Sequence, residues 1–447
     1  MRNLKLVLAT LVALGLAVPA LAADFKFSGD LNHRFNLYTN QGNIYSGPET
    51  ISSANPIEKN DVEEFFGDIK YRLVVEAATN DGRVKGVYAV EVGGLRFGRS
   101  GGGGYSGDGT NVETRWAYTD IQLPTDSKTR LLIGLQPFTV NKFLWNETAM
   151  GVQFKGDAGP VAYTLAWMRG KEYFNTTDDD DLFEDADAFL ARGDLKPAEN
   201  VKLGLFALYE RANPSTTTAP TYNHELKRIE NVDYDLYTFG ADGGMTAGNL
   251  FVNWDLMYQT GEAEDGNGGD FDLEGYFAHA DVGVKLGKTT VTYTGWYASG
   301  DDDANDNDME NFIATDVDTF DSIVLFEGGY NDDNYFTEAP YILDKGMIFN
   351  KIAVDHQATE KLKVGAAVLY LMTAEDLELA DGSKEDKLGT ELDAYVSYML
   401  YPNVEVALNF GYLFADDAMD YWEGSSDQDG DSDTDIYRST MRVRYQF

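Results

Sequence analysis

The sequence predicts an all-β fold: a closed transmembrane antiparallel β-barrel of eighteen strands, with sixteen as the alternative count. Three observations predict it. Amphipathic stretches of period two recur along the whole chain. Short turns and long polar stretches alternate between them. Beyond the first residues there is no run of apolar residues long enough for a membrane helix.

The first residues stand apart from the rest. Arg2 and Lys5 open an apolar run from Leu6 to Val18, which Pro19 breaks just before Ala20-Leu21-Ala22. A basic start, a short apolar core and a small-x-small ending make residues 1–22 a signal peptide, cut after Ala22 with Ala23 as the alternative. The barrel domain then spans 23–447. Removing Arg2 and Lys5 takes the formal charge from −40 to −42. So acidic a chain repels a phosphate backbone, which excludes nucleic acid as a partner. The chain has no cysteine, so disulfides, thiolate metal sites and a cysteine nucleophile are excluded too.

The opening stretch "DFKFSGDLNHRFNLY" shows the strand pattern. Phe25, Phe27, Gly29, Leu31, His33, Phe35 and Leu37 share one face; Lys26, Ser28, Asp30, Asn32, Arg34 and Asn36 share the other. Alternation over this length is a strand with one apolar and one polar face, about twice as long as an ordinary globular strand. The pattern returns in Val201–Tyr209, in Leu250–Tyr258, in Leu392–Leu400 and in Val404–Tyr412. In the last strand Tyr437, Met441, Val443, Tyr445 and Phe447 face one way; Arg438, Thr440, Arg442, Arg444 and Gln446 face the other.

Short connections rich in Gly, Pro, Asn or Asp fall at 79–83, 124–127, 157–160, 196–200, 246–249, 287–288, 358–361 and 402–403. Long polar stretches fall at 40–65, 99–111, 137–150, 173–184, 211–231, 261–273, 300–345, 374–388 and 416–434. Eight turns and nine loops connect eighteen strands. Loss of one weak pair, around 184–194 or 151–157, gives sixteen. Short periplasmic turns opposite long extracellular loops are the mark of an outer-membrane barrel. A closed sheet pairs every backbone group in lipid, so its outer face is apolar and its interior wet.

On these parities Arg34, Lys70, Arg72, Arg115, Arg130, Arg438, Arg442 and Arg444 point inward. They form a pore-lining basic set, much of it where the first and last strands meet. Charges lining a pore set its selectivity. Lumenal acids such as Asp30, Asp68, Glu76 and Glu113 offer them ion pairs instead. The acid runs at 176–188, 300–310 and 427–435 lie in long loops and form a negative rim. Asp427, Asp429, Asp431 and Asp433 are loose Ca²⁺ candidates. Counted from Asp427, Ser432 and Arg438 occupy the places where an EF-hand needs Gly and Glu, so no cofactor is expected beyond loosely bound Ca²⁺. The glycine run at 98–110 lacks a P-loop ending. The four histidines, His33, His224, His279 and His356, are scattered. No GxSxG occurs, and an enzyme is not expected. His33, outward on the first strand, is polar where lipid is expected and points to a subunit interface there.

The signal, the opening "ADFKFSGDLNHRFNLYT", "TRWAYTDIQL" followed by "RLLIGLQPF", and the terminal "VRYQF" resemble the general trimeric porins of bacterial outer membranes. Among these the chain is most similar to the homotrimeric porins of sulfate-reducing bacteria. Sixteen strands are usual in general porins; eighteen resembles the sugar-specific ones. The resemblance implies a homotrimer in the outer membrane of a Gram-negative bacterium, in contact with its lipid and lipopolysaccharide. It implies insertion through a last strand ending in Phe447. It also implies a water-filled pore for passive diffusion of small hydrophilic solutes and ions. A channel specific for oligosaccharides or carboxylates and a plugged structural barrel are the alternatives. A third loop that narrows the pore corresponds to "PFTVNKFLWNETAMG", with Lys142, Trp145 and Glu147 as its constriction residues. Trp296 is an inward tryptophan that would favour sugars.

Overall fold

The alternation becomes a wall. The computed structural model describes residues 23–39, 63–98, 104–105, 112–125, 128–171, 185–212, 221–223, 228–230, 233–264, 270–303, 306–317, 321–326, 328, 330, 340–342, 344–422 and 435–447. The signal peptide and the Ca²⁺ candidates Asp427, Asp429, Asp431 and Asp433 lie outside them. Among the described residues eighteen antiparallel strands close into one ring. In chain order they are β1 Ala23–Thr39, β2 Glu63–Thr79, β3 Val84–Arg96, β4 Glu113–Gln122, β5 Arg130–Asn141, β6 Trp145–Ala158, β7 Val161–Lys171, β8 Ala186–Ala198 and β9 Val201–Ala212. The ring continues with β10 Asp233–Ala247, β11 Leu250–Glu264, β12 Asp270–Leu286, β13 Thr289–Ala298, β14 Met347–Gln357, β15 Leu362–Glu378, β16 Lys384–Tyr401, β17 Val404–Ala415 and β18 Ile436–Gln446.

The ring closes where β1 pairs with β18, from Asp30 opposite Gln446 to Tyr38 opposite Arg438. Gly29 and Phe447 exchange both backbone hydrogen bonds, at 2.9 and 3.1 Å. Both segments on which the sixteen-strand count depended are strands, β6 and β8, so eighteen holds. The outer face carries exposed Phe27, Leu73, Ile133, Leu205, Leu256, Val282, Ile352, Val368 and Leu408. In water such a belt would be a liability; in lipid it is the required surface.

The third long connection departs from the expectation. Residues 137–150 are mostly strand: β5 runs to Asn141 and β6 starts at Trp145, leaving Lys142, Phe143 and Leu144 as the turn. The two strands stay paired with each other, Pro137 opposite Thr148 and Phe138 opposite Glu147. They leave the wall together. Pairing of β5 with β4 ends at Leu135, and pairing of β6 with β7 begins at Met150. A glycine pair marks the bend, Gly134 opposite Gly151. Gly134 has φ +123°, a region L side chains rarely adopt, and a Cβ there would lie 2.4 Å from the Ala117 carbonyl oxygen. At Gly151 a Cβ would lie 2.2 Å from the Trp167 carbonyl oxygen. The tight approach lets the hairpin peel inward.

The connection between β13 and β14 also enters the barrel. Its described residues include buried Phe312, Ile313, Ala314, Val317, Val324, Leu325, Phe326, Tyr341 and Ile342. All but Ile313 belong to one core with Phe138, Val140, Phe143, Leu144 and Trp145 of the hairpin and with Phe277, Trp296 and Phe349 of the wall; Ile313 packs in a second cluster with Leu236, Ala263 and Leu273. This acidic stretch therefore carries a buried apolar part as well as a polar rim.

Candidate functional site

The lumen is shaped by two insertions and two unlike walls. The hairpin of β5 and β6 crosses toward β8 and β11–β13. Arg192 of β8 donates to the Val140 carbonyl at 3.2 Å, and Asn141 donates to Asp255 of β11 at 2.6 Å. At the tip, the Phe143 ring lies 4.8 Å from that of Phe277 and 4.6 Å from that of His279. Tyr341, from the second insertion, donates its hydroxyl to the Phe143 carbonyl at 2.6 Å. The insertions also join directly: Asn146 N–H donates to the Asp316 carbonyl at 2.8 Å, and Thr315 N–H to the Leu144 carbonyl at 2.9 Å.

Strand residues fasten the second insertion to the wall. Gln259 of β11 both donates to the Ile313 carbonyl and accepts the Ile313 N–H, each at 2.8 Å. Glu210 of β9 accepts the Thr315 hydroxyl at 2.9 Å. Glu391 of β16, fully buried, accepts the N–H groups of Ile323 and Val324 at 2.8 Å and the Ser322 hydroxyl at 2.6 Å. A carboxylate taken from water needs such donors to offset its lost hydration.

The expected constriction residues sit in three different settings. Lys142 is exposed at the tip, its ammonium 4.2 Å from the Phe143 ring centre. Trp145 is buried edge-on against Phe138, centroids 4.6 Å apart. Glu147 faces Arg115 of β4 across 3.4 Å. Trp296 is sealed in the core, stacked on Phe349 with centroids 4.9 Å apart and planes within 5°. It offers no surface to a passing sugar.

The basic residues line the opposite side, on β1, β2, β4, β5 and β18. Each of the following meets a lumenal carboxylate. Arg34 pairs with Asp68 at 2.5 Å, Arg130 with Asp120 at 2.7 Å, Arg442 with Glu405 at 2.6 Å, and Arg444 with Asp30 at 2.9 Å. Glu91 of β3 gathers Lys70 at 3.6 Å, Arg115 at 3.0 Å, and Arg72. Arg115 reaches it beside a bulge, where Trp116 faces Ala89 and Thr114 faces Val90. Arg438 is buried beside Tyr38. The set divides by exposure. Arg34 and Arg438 are sealed at 2% and 0%, whereas the side chains of Arg72, Arg444 and Arg130 keep 35, 30 and 29% of their surface open. Strand parity points these inward except Arg115, which the bulge turns in, and exposure depends on what covers them. Arg34 is covered by the second insertion: it donates to the Tyr330 carbonyl at 2.6 Å, and Arg442 lies 4.1 Å over the Tyr330 ring.

Four residues of the site were not singled out from the sequence: Arg192, Asp255, His279 and Glu391. Each is a polar residue at an inward position. Parity alone does not separate it from any other water-facing side chain, because its partners come from distant parts of the chain.

The fold is a closed antiparallel barrel of eighteen strands with an apolar outer belt, narrowed from within. Among solved structures it is similar to the outer membrane protein OprD from Pseudomonas aeruginosa, at TM-score 0.55 and 13% identity over 96% of this chain and 95% of that one. It is also similar to OccK9 (OpdG) of that organism, at 0.54 and 13% over 95% and 98%. OccK8 (OprE) gives 0.54 and 12% over 95% and 98%. At these identities the likeness is one of fold. No family model matches the sequence, and no curated relative does.

Proposed function

We propose that the chain is a selective outer-membrane diffusion channel for small hydrophilic solutes, favouring those that carry a carboxylate. One observation carries this reading. The two insertions fill the β8–β16 side with a buried apolar core, while Arg72, Arg130 and Arg444 stay partly open on the other side. A solute then passes beside guanidinium groups, whose planar donors match a carboxylate. The buried position of Trp296 counts against a sugar path. We extend the proposal to a homotrimer in contact with lipid and lipopolysaccharide, inserted through the strand that ends at Phe447 and performing no chemistry.

The test is single-channel recording in a planar bilayer, with the reversal potential measured under a salt gradient. The charge of −42 favours cations at the mouth at low salt. At about 1 M the Debye length falls to about 3 Å, the rim fades, and the wall governs. The proposal expects small steps, a shift toward anions as salt rises, and block by a carboxylate solute at micromolar concentration. Large steps indifferent to every solute would return the case to a general porin. Silence would return it to a plugged barrel.

A further inference from the structure

We propose that His279 is a positioning residue for the constriction hairpin, and that its protonation sets how firmly the hairpin holds the eyelet narrow. This rests on the channel reading above and adds a regulation to it.

His279 lies on β12 at an inward position, its side chain 1% exposed. Two carboxylates flank its ring. Nδ1 is 2.7 Å from Asp255 of β11, and Nε2 is 3.3 Å from Asp281 of β12. The first contact is a hydrogen bond; the second is an ion-pair distance without hydrogen-bond geometry. The hairpin tip sits on the same group. Asn141 donates to the other oxygen of Asp255, and the Phe143 ring rests 4.6 Å from the imidazole. Thr294 of β13 donates to Asp281 at 2.6 Å. The remaining charge facing this cluster from the hairpin is Lys142. Next to it on the wall, Arg192 of β8 holds the Val140 carbonyl and pairs with Asp242 and Asp194.

The arrangement makes the dock depend on one proton. An imidazolium carries two N–H donors and a positive charge, so it can serve Asp255 and Asp281 together. The neutral ring has one N–H. One carboxylate then loses the imidazole as a partner, keeping only Thr294 or Asn141, and two negative charges flank a neutral ring beneath the tip with less to hold them. Asp255 is the carboxylate that also anchors Asn141. Its repulsion from Asp281 is therefore delivered to the hairpin. Losing the proton loosens the dock, and gaining it tightens the dock.

The test uses the full chain at about pH 5 and about pH 8, on either side of the ordinary histidine range. Wild type, His279→Gln and Asp281→Asn are recorded in planar bilayers. The wild type should open more often at the higher pH, by about three- to tenfold, where tenfold corresponds to one pK unit of differential interaction. His279→Gln should show one opening frequency at both values. Asp281→Asn, which removes the repulsion, should flatten the step as well. A wild type without the step, or a His279→Gln that keeps it, overturns the proposal. A second readout separates this from failure of the channel reading. The chain has no cysteine, so a spin label on Asn146→Cys, at an exposed position of the hairpin, reports its mobility without any current. Mobility rising with pH in the labelled parent and flat after His279→Gln supports the dock even in a barrel that does not conduct. Mobility that ignores pH overturns it.

Discussion

The two sides of the lumen are built from the same alternating strands and end as opposites. On β1–β5, β17 and β18, inward arginines meet inward acids across neighbouring strands, as Arg442 meets Glu405 and Arg130 meets Asp120. On β8–β16, inward side chains meet the two insertions, and Phe277, Trp296 and Phe349 join a core that a channel interior does not otherwise need. Strand parity decides only which residues face inward. What they meet there is decided by chain arriving from elsewhere. The apolar side holds the insertions, and the charged side keeps guanidinium groups partly open to the lumen.

This contrast can be broken most forcefully at Glu391. Glu391→Ala leaves two backbone N–H groups and a hydroxyl without their acceptor, and each buried donor so stranded costs about 1–3 kcal/mol. Residues 322–324 should detach and the single-channel conductance should rise severalfold, while the barrel still folds and runs as a heat-modifiable band. A variant with wild-type conductance would mean that this anchor does not define the opening. Phe143→Ala acts on the other insertion. Deleting a buried phenylalanine costs about 3–5 kcal/mol, here taken from the docked hairpin rather than from the barrel. Noisier, wider openings are expected, and an unaltered current trace would deny the tip its part in the constriction.

The charged side is tested by sign. Arg444→Glu sets a carboxylate beside Asp30, and Arg72→Glu sets one beside Glu91. These side chains keep about a third of their surface open, so the loss in stability should be small, about 1 kcal/mol or less after screening. Selectivity should move much more. At high salt the reversal potential should shift toward cations and micromolar carboxylate should no longer block. An unchanged potential would place the filter elsewhere.

The wall was legible because lipid imposes period two on every strand. The run from Phe25 to Leu37 could be assigned a face from its letters alone. Seven of the inward basic residues follow from the same rule, since a parity needs no knowledge of the neighbour; Arg115 turns in only because of the bulge in β4. The hairpin reads as a loop in the sequence because Pro137, Asn141 and Asn146 are turn formers, and Phe138, Val140 and Trp145 are too few to advertise a strand. The second insertion was read as an acidic rim. Its signal was present in "SIVLF" at 322–326, an apolar run inside a stretch dominated by aspartate. A solvated loop has no use for such a run, and an inward-folded one does. His279 had no such signal. Its role depends on Asp255 and Asn141, and Asn141 belongs to a hairpin that must first leave the wall.

The smallest effect is expected where the two sides touch. Tyr330 joins the second insertion to the arginines, through its carbonyl to Arg34 and its ring to Arg442. Tyr330→Leu keeps the carbonyl and removes only the ring, a cation–π contact worth about 0.5–2 kcal/mol depending on its desolvation. Burial pushes the phenol above its usual value, more than Arg442 draws it down, so the ring stays neutral through the range in which bilayer currents are recorded. The effect should therefore be slight and the same at every pH: a modest rise in current noise and a small gain in conductance as the Arg442 side chain is freed. That flat profile is what sets it apart from His279, where the same two pH values should give different currents. A Tyr330→Leu channel whose noise changed with pH beyond the wild-type step would show that a group other than His279 governs the opening on this side once the ring is gone. The charged side would then hold a switch of its own.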